Sequence, residues 1–587
     1  MSGTRITDLV ANLHSNELTR RDLMVKAGVA GMSASALSML LTGRAIAAPG
    51  ASTPRYLVSK IDATTLVVTD ALSGAYWLGL DPAWYYEINP TMAMFAIYDQ
   101  LYAGQDGSNP TDIQPLLADG MPELSEDLLT ATIKLKQGIT FQNTGNEMTA
   151  DDVIFSYNRL AATYAQSSFL ATDYWTDIQK VDDYTIAITL PAPNAGLAAV
   201  LASIPLSITD SKQVMEFGGT TDRPEFTDDA TDDERASNES ILANRDAQNL
   251  INSTSVGTGP FKVDQWDTNS SVILVANPDY WGEAPQIEQI IFTNIIDANA
   301  QLQAVETGDA DIAYSLNPDS VAAVESNPDL QIISESSLSI QYLAMNLNEE
   351  FGGPMANQLC RQAFAYAIDY DSIINDILVG GAVRPALPMP LPLSGSEAML
   401  EKAYTLDLAR AQELWDESGV GDQEIEITYD SDSPGEGGVN LETLATAIKA
   451  NLEAINGVTI RLSPMPGNDR VGQYRAGEFQ ATISPWSPDY PDVDTYATPF
   501  FQTGTAAAAR VSFSNPEVDD LLKQGLAETD PAARDAIYLQ IQELVLPDVP
   551  YIVLYQPVYR KPANATVAGV TVHPIYMMNL RGASKTE

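Results

Sequence analysis

The sequence predicts an α/β fold built from more than one lobe. Strand-like and helix-like segments alternate along most of the 587 residues, a pattern that argues for parallel or mixed sheets flanked by helices. At the usual ~100–200 residues per domain, the length allows about three well-formed cores. Cysteine occurs once, at Cys360, so no disulfide framework is possible within one chain.

In chain order, the first feature is an address. Thr19-Arg20-Arg21-Asp22-Leu23-Met24-Val25-Lys26 precedes fifteen mostly small or apolar residues, Ala27 to Leu41, and then Ala45-Ile46-Ala47. Paired arginines before a weakly apolar stretch and a small-residue cleavage site are the layout of a twin-arginine signal peptide. An ordinary amphipathic N-terminal helix is the alternative, and the stretch falls short of the roughly 20 apolar residues that a spanning helix needs. Arg44 adds positive charge beyond the apolar run, which disfavours the general secretion route. Residues 1–47 are therefore expected to direct export into a periplasm, with the mature chain starting near Ala48 and no cysteine beside the cut to carry a lipid anchor.

Tyr56 to Leu80 reads as strand, with Leu66-Val67-Val68 as a buried run, and a helix is predicted over Met92 to Leu101. Leu129 to Leu135 alternates as a strand, Thr149 N-caps a helix with Asp151 and Asp152 in its first turn, and Asp182 to Leu190 forms a hairpin segment. Between Thr220 and Asn249 few residues are apolar, so an exposed acidic loop is expected there. Its Asp228, Asp229, Asp232 and Asp233 lack the spacing of a known calcium loop and read as a solvated surface. Strands follow at Phe261 to Trp266, Val272 to Ala276 and Ile287 to Ile296, then a helix from Ala298 to Thr307. Further on come the strand Tyr342 to Leu347, the helix Asn357 to Ile368 and the proline-rich segment Pro385 to Pro392. The helices Asp407 to Ser418 and Leu441 to Ile455 then alternate with the strands Ile425 to Tyr429 and Thr459 to Ser463.

Composition excludes several function classes. With 78 acidic against 31 basic residues the formal net charge is −47, and nucleic acid or anionic lipid would be repelled. A saline habitat is one source of such acidity. Histidine occurs only at His14 and His573, so thiolate and imidazole ligands for a zinc, iron–sulfur or haem site are missing, and no cofactor is expected. His573, beside Pro574, reads as a surface or packing residue.

A series of short segments then carries a resemblance. They include Gly79-Leu80-Asp81-Pro82, Ile97-Tyr98-Asp99-Gln100-Leu101, Pro115-Leu116-Leu117-Ala118 and Ile133 to Phe141. After these come Thr149-Ala150-Asp151-Asp152-Val153, Gly257-Thr258-Gly259-Pro260-Phe261 and Asn277-Pro278-Asp279-Tyr280-Trp281. The helix Arg361 to Asp369 and Asn515-Pro516-Glu517-Val518-Asp519 complete the series. In this order the segments resemble the family 5 extracellular solute-binding proteins, the peptide- and nickel-binding group that delivers ligands to ABC importers. The resemblance implies a two-lobe, hinged, type II-like periplasmic binding fold. It places the first lobe over 48–325, with an inserted subdomain at about 90–200 and the acidic loop at 220–249. The second lobe covers 326–545, and the C-terminal segment 546–587 returns to the first. Physics gives several of these signatures structural work, such as the tight turns that Gly257 and Gly259 permit.

The same resemblance points to a ligand site. Trp486-Ser487-Pro488-Asp489-Tyr490-Pro491-Asp492 is similar to the family's Trp-x-x-Asp-Tyr segment in the cleft wall of the second lobe. It implies that Asp489 holds a ligand ammonium, with Trp486 as a flat wall and Tyr490 beside it; a turn cap before Pro491 is the alternative for Asp489. A buried carboxylate is costly unless paired, and a ligand amine would supply the missing charge. On the opposite wall Tyr86, Glu87 and Ile88 are candidates for holding a peptide backbone in an added-strand mode, or Tyr86 for core packing. Arg384, in Val383-Arg384-Pro385, is the candidate for a ligand carboxylate, because a guanidinium reads carboxylates bidentately. The expected function is a monomeric periplasmic receptor for a short peptide or other amine-bearing solute, acting with a membrane permease and not as an enzyme. An oligosaccharide, an opine or a metal chelate is an alternative ligand. A hydrolase using Asp489 with Asp492 or Asp494 is the alternative of another class.

Overall fold

The computed structural model describes residues 63–586 apart from 74–75, 87, 105–108 and 228–229. The arginine pair and the proposed cleavage site lie outside the described residues, as do Glu87, Asp228 and Asp229. A mixed sheet of 12 strands runs through the molecule. From one edge its order is Val458–Met465, Gln423–Asp430, Ala481–Trp486, Ile340–Met345 and then the long strand Tyr551–Asn564. Beyond that strand lie Ile312–Ala313, Thr65–Asp70, Gln289–Asn294, Ser271–Ala276 and Phe261–Asp267.

Tyr551–Asn564 joins the two lobes. Its first half pairs antiparallel with Ile340–Met345, and its second half, from Val558 to Asn564, pairs with Leu330–Ser336. Residues 551–555 pack in the second-lobe cores, and Ala563, Ile575 and Tyr576 pack with Leu66, Val68 and Phe292 of the first. The C-terminal segment thus begins as a second-lobe strand and reaches the first lobe only in its later part.

Strand alternation accounts for the layering. Ile340, Tyr342 and Ala344 face one core, against residues of the helices Asp494–Phe501, Pro516–Ala527 and Pro531–Val545. Leu343 and Met345 face the other, against Gln358–Ala367, Leu408–Ser418 and Leu441–Leu452. A strand buried on both faces reads as a continuous apolar run, as Leu66-Val67-Val68 also does. Within the stretch expected to be strand from Tyr56 to Leu80, the described strand is Thr65–Asp70.

A second sheet of four strands, in the order Glu123–Leu124, Thr130–Lys134, Thr185–Thr189, Asp177–Asp182, packs with the helix Ala150–Thr163 into a separate core. That helix starts where the sequence places it: the Thr149 amide and hydroxyl donate to Asp152 Oδ2 at 2.9 and 3.1 Å.

Two further segments differ from the sequence reading. The helix expected over Met92 to Leu101 is Thr91–Ile97, because Tyr98 is extended and Arg581 donates to the carbonyls of Phe95 and Tyr98 at 2.7 Å. A guanidinium at the last turn satisfies orphan carbonyls and complements the helix dipole. The supposed loop at 220–249 contains the helices Asp232–Ala236 and Glu239–Ile251. Composition hid them: Ile241, Asn244, Ala247 and Ile251 are few but sit on one helical face and are buried. Asn244 there accepts from Arg159 Nε at 3.0 Å, while Arg159 grips Asp81 bidentately at 2.8 and 2.6 Å. The Asp81-Pro82 signature is therefore a buried structural pair.

Candidate ligand-binding site

The strand Ala481–Trp486 leads into Ser487-Pro488-Asp489-Tyr490-Pro491, where two prolines lacking amide protons end the ladder and stiffen the turn. The backbone of Asp489 is held on both sides. Its amide donates to Thr495 Oγ1 at 3.2 Å, and its carbonyl accepts from Ser203 Oγ of the first lobe at 3.0 Å.

This turn forms one wall of a cavity of about 260 Å³ between the lobes. Trp486 and Asp489 face Tyr85, Tyr86 and Ile88, with Ile204 and Met577 closing the sides. Across the cleft the Tyr86 hydroxyl donates to Asp489 Oδ1 at 3.1 Å. Burial pushes the Asp489 carboxyl up to about 6, the Tyr86 hydrogen bond pulls it partly back, and no cation among the described residues contributes. The Trp486 indole donates to the Thr495 carbonyl at 3.3 Å and meets Phe500 edge-on at 4.9 Å, which fixes its face toward the cavity.

Three lining residues, Ile88, Pro485 and Met577, also line a second cavity of about 440 Å³. It contains groups that the sequence reading missed: Asp70, Glu436 and Lys561. Asp70 accepts from Trp77 Nε1 at 2.8 Å, the Ala71 amide at 2.7 Å and Asn89 Nδ2 at 2.9 Å, yet burial pushes it up to about 6. Burial raises Glu436 to about 7, with the hydroxyls of Ser339 and Ser487 and the charge of Lys561 pulling it partly back. Lys561, 5 % exposed, is pushed down to about 8 by burial. In sequence its only signal was a basic pair following an aromatic, Tyr559-Arg560-Lys561, which reads as a solvated strand end.

The structure thus brings Asp489, Trp486, Tyr86 and Ile88 to one cavity. It takes Tyr490 elsewhere: the ring is buried in the first lobe's smaller core, with its hydroxyl 2.8 Å from that of Tyr174 and donating to Asp494 Oδ2 at 2.9 Å. Arg384 does not reach the cleft. Its guanidinium lies 3.8 Å from the Tyr370 ring centre and donates to the Tyr404 carbonyl, beside a small separate cavity of the second lobe. Arg384 follows the short strand Ala382–Val383, whose pairing with Pro557 and Gln556 sets where it lies. His573 is buried and stacks on Tyr576 at 4.2 Å. The acids cast as a hydrolase pair are engaged: Asp492 is gripped by Arg534, and Asp494 accepts from Tyr490 and Thr498. Among the described residues, no group of three or more His, Cys, Asp or Glu is suited to hold a metal.

Residues 112–508 match the family of bacterial extracellular solute-binding proteins, family 5 Middle. The chain is similar to the probable D,D-dipeptide-binding periplasmic protein DdpA of Escherichia coli, 26% identical over 515 residues that cover 86% of this chain and 92% of that protein. It is likewise 26% identical to di/tripeptide-binding protein 2 of Pseudomonas aeruginosa, covering 85% of this chain and 91% of that one. Among solved structures, the periplasmic binding protein DppA of Helicobacter pylori, in complex with peptide STSA, aligns with a TM-score of 0.71 at 24% identity, covering 89% of this chain and 98% of that one. The chain belongs to the family 5 bacterial extracellular solute-binding proteins, periplasmic binding receptors of ABC importers rather than enzymes.

Proposed function

We propose that this receptor captures a short peptide, or a similar solute carrying a cationic amine, between its lobes and presents it to the importer's permease without breaking a bond. The observation that carries this reading is Asp489, a carboxylate raised to about 6 in a cleft cavity with a phenol but no cation of the described residues beside it. A ligand ammonium supplies that charge, and removing the water between two walls strengthens the pair. The cleft closes because contacts made with both walls at once stabilise only the closed arrangement. The names of the relatives DdpA and di/tripeptide-binding protein 2 support a peptide-like ligand. Arg20 and Arg21 support export by the twin-arginine route, and the receptor acts as a monomer.

The test is native mass spectrometry of protein purified without denaturation, followed by extraction of the bound solute. One amine-bearing molecule per chain, recovered unchanged, is expected. A sugar without an amine would move the reading to an oligosaccharide receptor, and a chemically altered product would move it to an enzyme. Replacing both Arg20 and Arg21 by lysine is expected to leave the precursor in the cytoplasm, and undiminished periplasmic recovery would refute the route.

A further inference from the structure

The second cavity carries a charge of the opposite sign to Asp489, and its partners can be counted. Lys561 Nζ donates to the Tyr314 carbonyl at 2.8 Å and sits 3.6 Å from the centre of the Tyr314 ring and 5.6 Å from that of Tyr559. An ammonium has three N–H donors, so this environment leaves two without an acceptor. Asp70 and Glu436 act on it through their fields and form no ion pair with it.

The other charged groups of this cavity are committed elsewhere. Asp70 is held by Trp77, Asn89 and its own loop, and Glu436 by two serine hydroxyls. Arg560 donates to the carbonyls of Leu378 and Val379 at 3.5 and 3.2 Å. The Tyr559 hydroxyl is engaged with Ser339 Oγ at 2.7 Å. Arg560 is partly exposed, so water can meet its remaining N–H groups; Lys561 is the buried cation of this cavity with donors to offer.

We propose that Lys561 forms the anion-binding end of the cleft, so that the solute is a short zwitterion whose amine meets Asp489 and whose carboxylate meets the Lys561 ammonium. The inference rests on the reading of Asp489 given above and adds the other end of the ligand. The two ends are complementary in one respect: each is a desolvated charge in a cavity wall with no opposite charge among the described residues bonded to it, a costly state that an incoming partner relieves. The cavities share Ile88, Pro485 and Met577, so one molecule of modest length reaches both. Lys561 keeps its proton at neutral pH, being lowered only to about 8. The role expected of Arg384 thus passes to a residue on the strand that joins the lobes, where carboxylate binding bears directly on closure.

The test uses alanine peptides of two, three and four residues, each as the free acid, the C-terminal amide and the N-acetylated acid, titrated calorimetrically into the full mature protein. The parent is expected to bind at least one free acid about ten- to a hundredfold more tightly than its amide, the usual worth of a charge-assisted hydrogen bond. Lys561→Met should abolish that preference, bringing the affinity for the free acid down to that for the amide, and Lys561→Arg should retain most of it. Equal binding of acid and amide by the parent overturns the anion site; if acetylation still abolishes binding, the Asp489 reading stands. Binding that tolerates acetylation but still requires the free acid overturns the Asp489 reading and the zwitterion with it. If no peptide of the series binds, the zwitterionic-peptide inference falls, and extraction of the native solute decides the amine reading separately. Should Lys561→Met fail to fold, the acid-to-amide ratio of the parent and the Lys561→Arg variant still decide.

Discussion

Asp489 and Asp492 stand three residues apart on one loop and have opposite situations. Asp492 is gripped through both oxygens by Arg534 at 2.7 and 2.8 Å, and its Oδ1 also accepts the Asp494 amide at 2.9 Å. Asp489 has the Tyr86 phenol from the facing lobe and a cavity in front of it. Local chemistry treats them alike, both as acids beside prolines, and only the family resemblance singled out Asp489. The difference teaches that a binding protein separates its structural charges from its recognition charges by completing the partners of one and leaving the other incomplete. A charge that is fully satisfied internally has nothing left with which to bind.

The comparison breaks most directly at Asp489. Asp489→Asn should weaken ligand binding at least a hundredfold, because losing one partner of a desolvated pair costs on the order of 3–5 kcal/mol. The same variant should be as stable as the parent without ligand, since it removes a buried charge that lacks a cation. Calorimetry with the recovered solute and thermal unfolding check both halves, and retained affinity would end the distinction between the two acids.

At Asp492 the reverse is expected. Arg534→Met leaves a mostly buried carboxylate unpaired and should lower folding stability by about 3 kcal/mol in denaturant titrations. Affinity should change much less than with Asp489→Asn once measured on the folded fraction. If Arg534→Met costs affinity and not stability, the pair belongs to recognition after all.

pH sharpens the contrast. Asp489 lies at about 6 in the ligand-free protein, against 3.8 for an ordinary aspartate. Only the ionised form attracts an amine, so affinity should fall about tenfold per unit as pH drops below about 6. The stability of the ligand-free protein carries the opposite sign. A carboxyl with a raised folded-state pKa contributes its full share below about 4 and loses it as pH rises through about 6. Asp70, at about 6, and Glu436, at about 7, add to the same window. Asp489→Asn should remove its part of both trends, and pH series of binding and unfolding would show whether it does.

The smallest effect belongs to Tyr86→Phe. Loss of one hydrogen bond to the Asp489 carboxylate should move its titration above about 6 and weaken binding by about 1 kcal/mol, as read by carboxyl-carbon NMR and calorimetry. A titration unchanged from the parent would show that the 3.1 Å contact does not stabilise the charge.

Much of this molecule was legible locally. Strand alternation at Leu129 to Leu135, the Thr149 cap and the helix pattern from Asp407 to Ser418 are signals confined to a few residues, and the structure shows the corresponding elements there. The 220–249 helices were missed because their buried face uses few apolar residues and one buried asparagine, so composition outweighed periodicity. Tyr551–Asn564 was missed for a different reason: a strand buried along most of its length shows little polar alternation.

The sequence by itself determined the class of the fold, the order of most helices and strands, and the turn that carries Trp486 and Asp489, because propensity, caps and proline stops act over a few residues. Only the tertiary structure decided which charges are complete. Asp489 and Tyr86 meet across 403 positions of chain, Asp492 and Arg534 across 42, and Lys561 and the Tyr314 carbonyl across 247. Whether a charged side chain ends in the cleft cavity, like Lys561, or beside a separate cavity of the second lobe, like Arg384, depends on sheet order and lobe closure, and no local pattern encodes those.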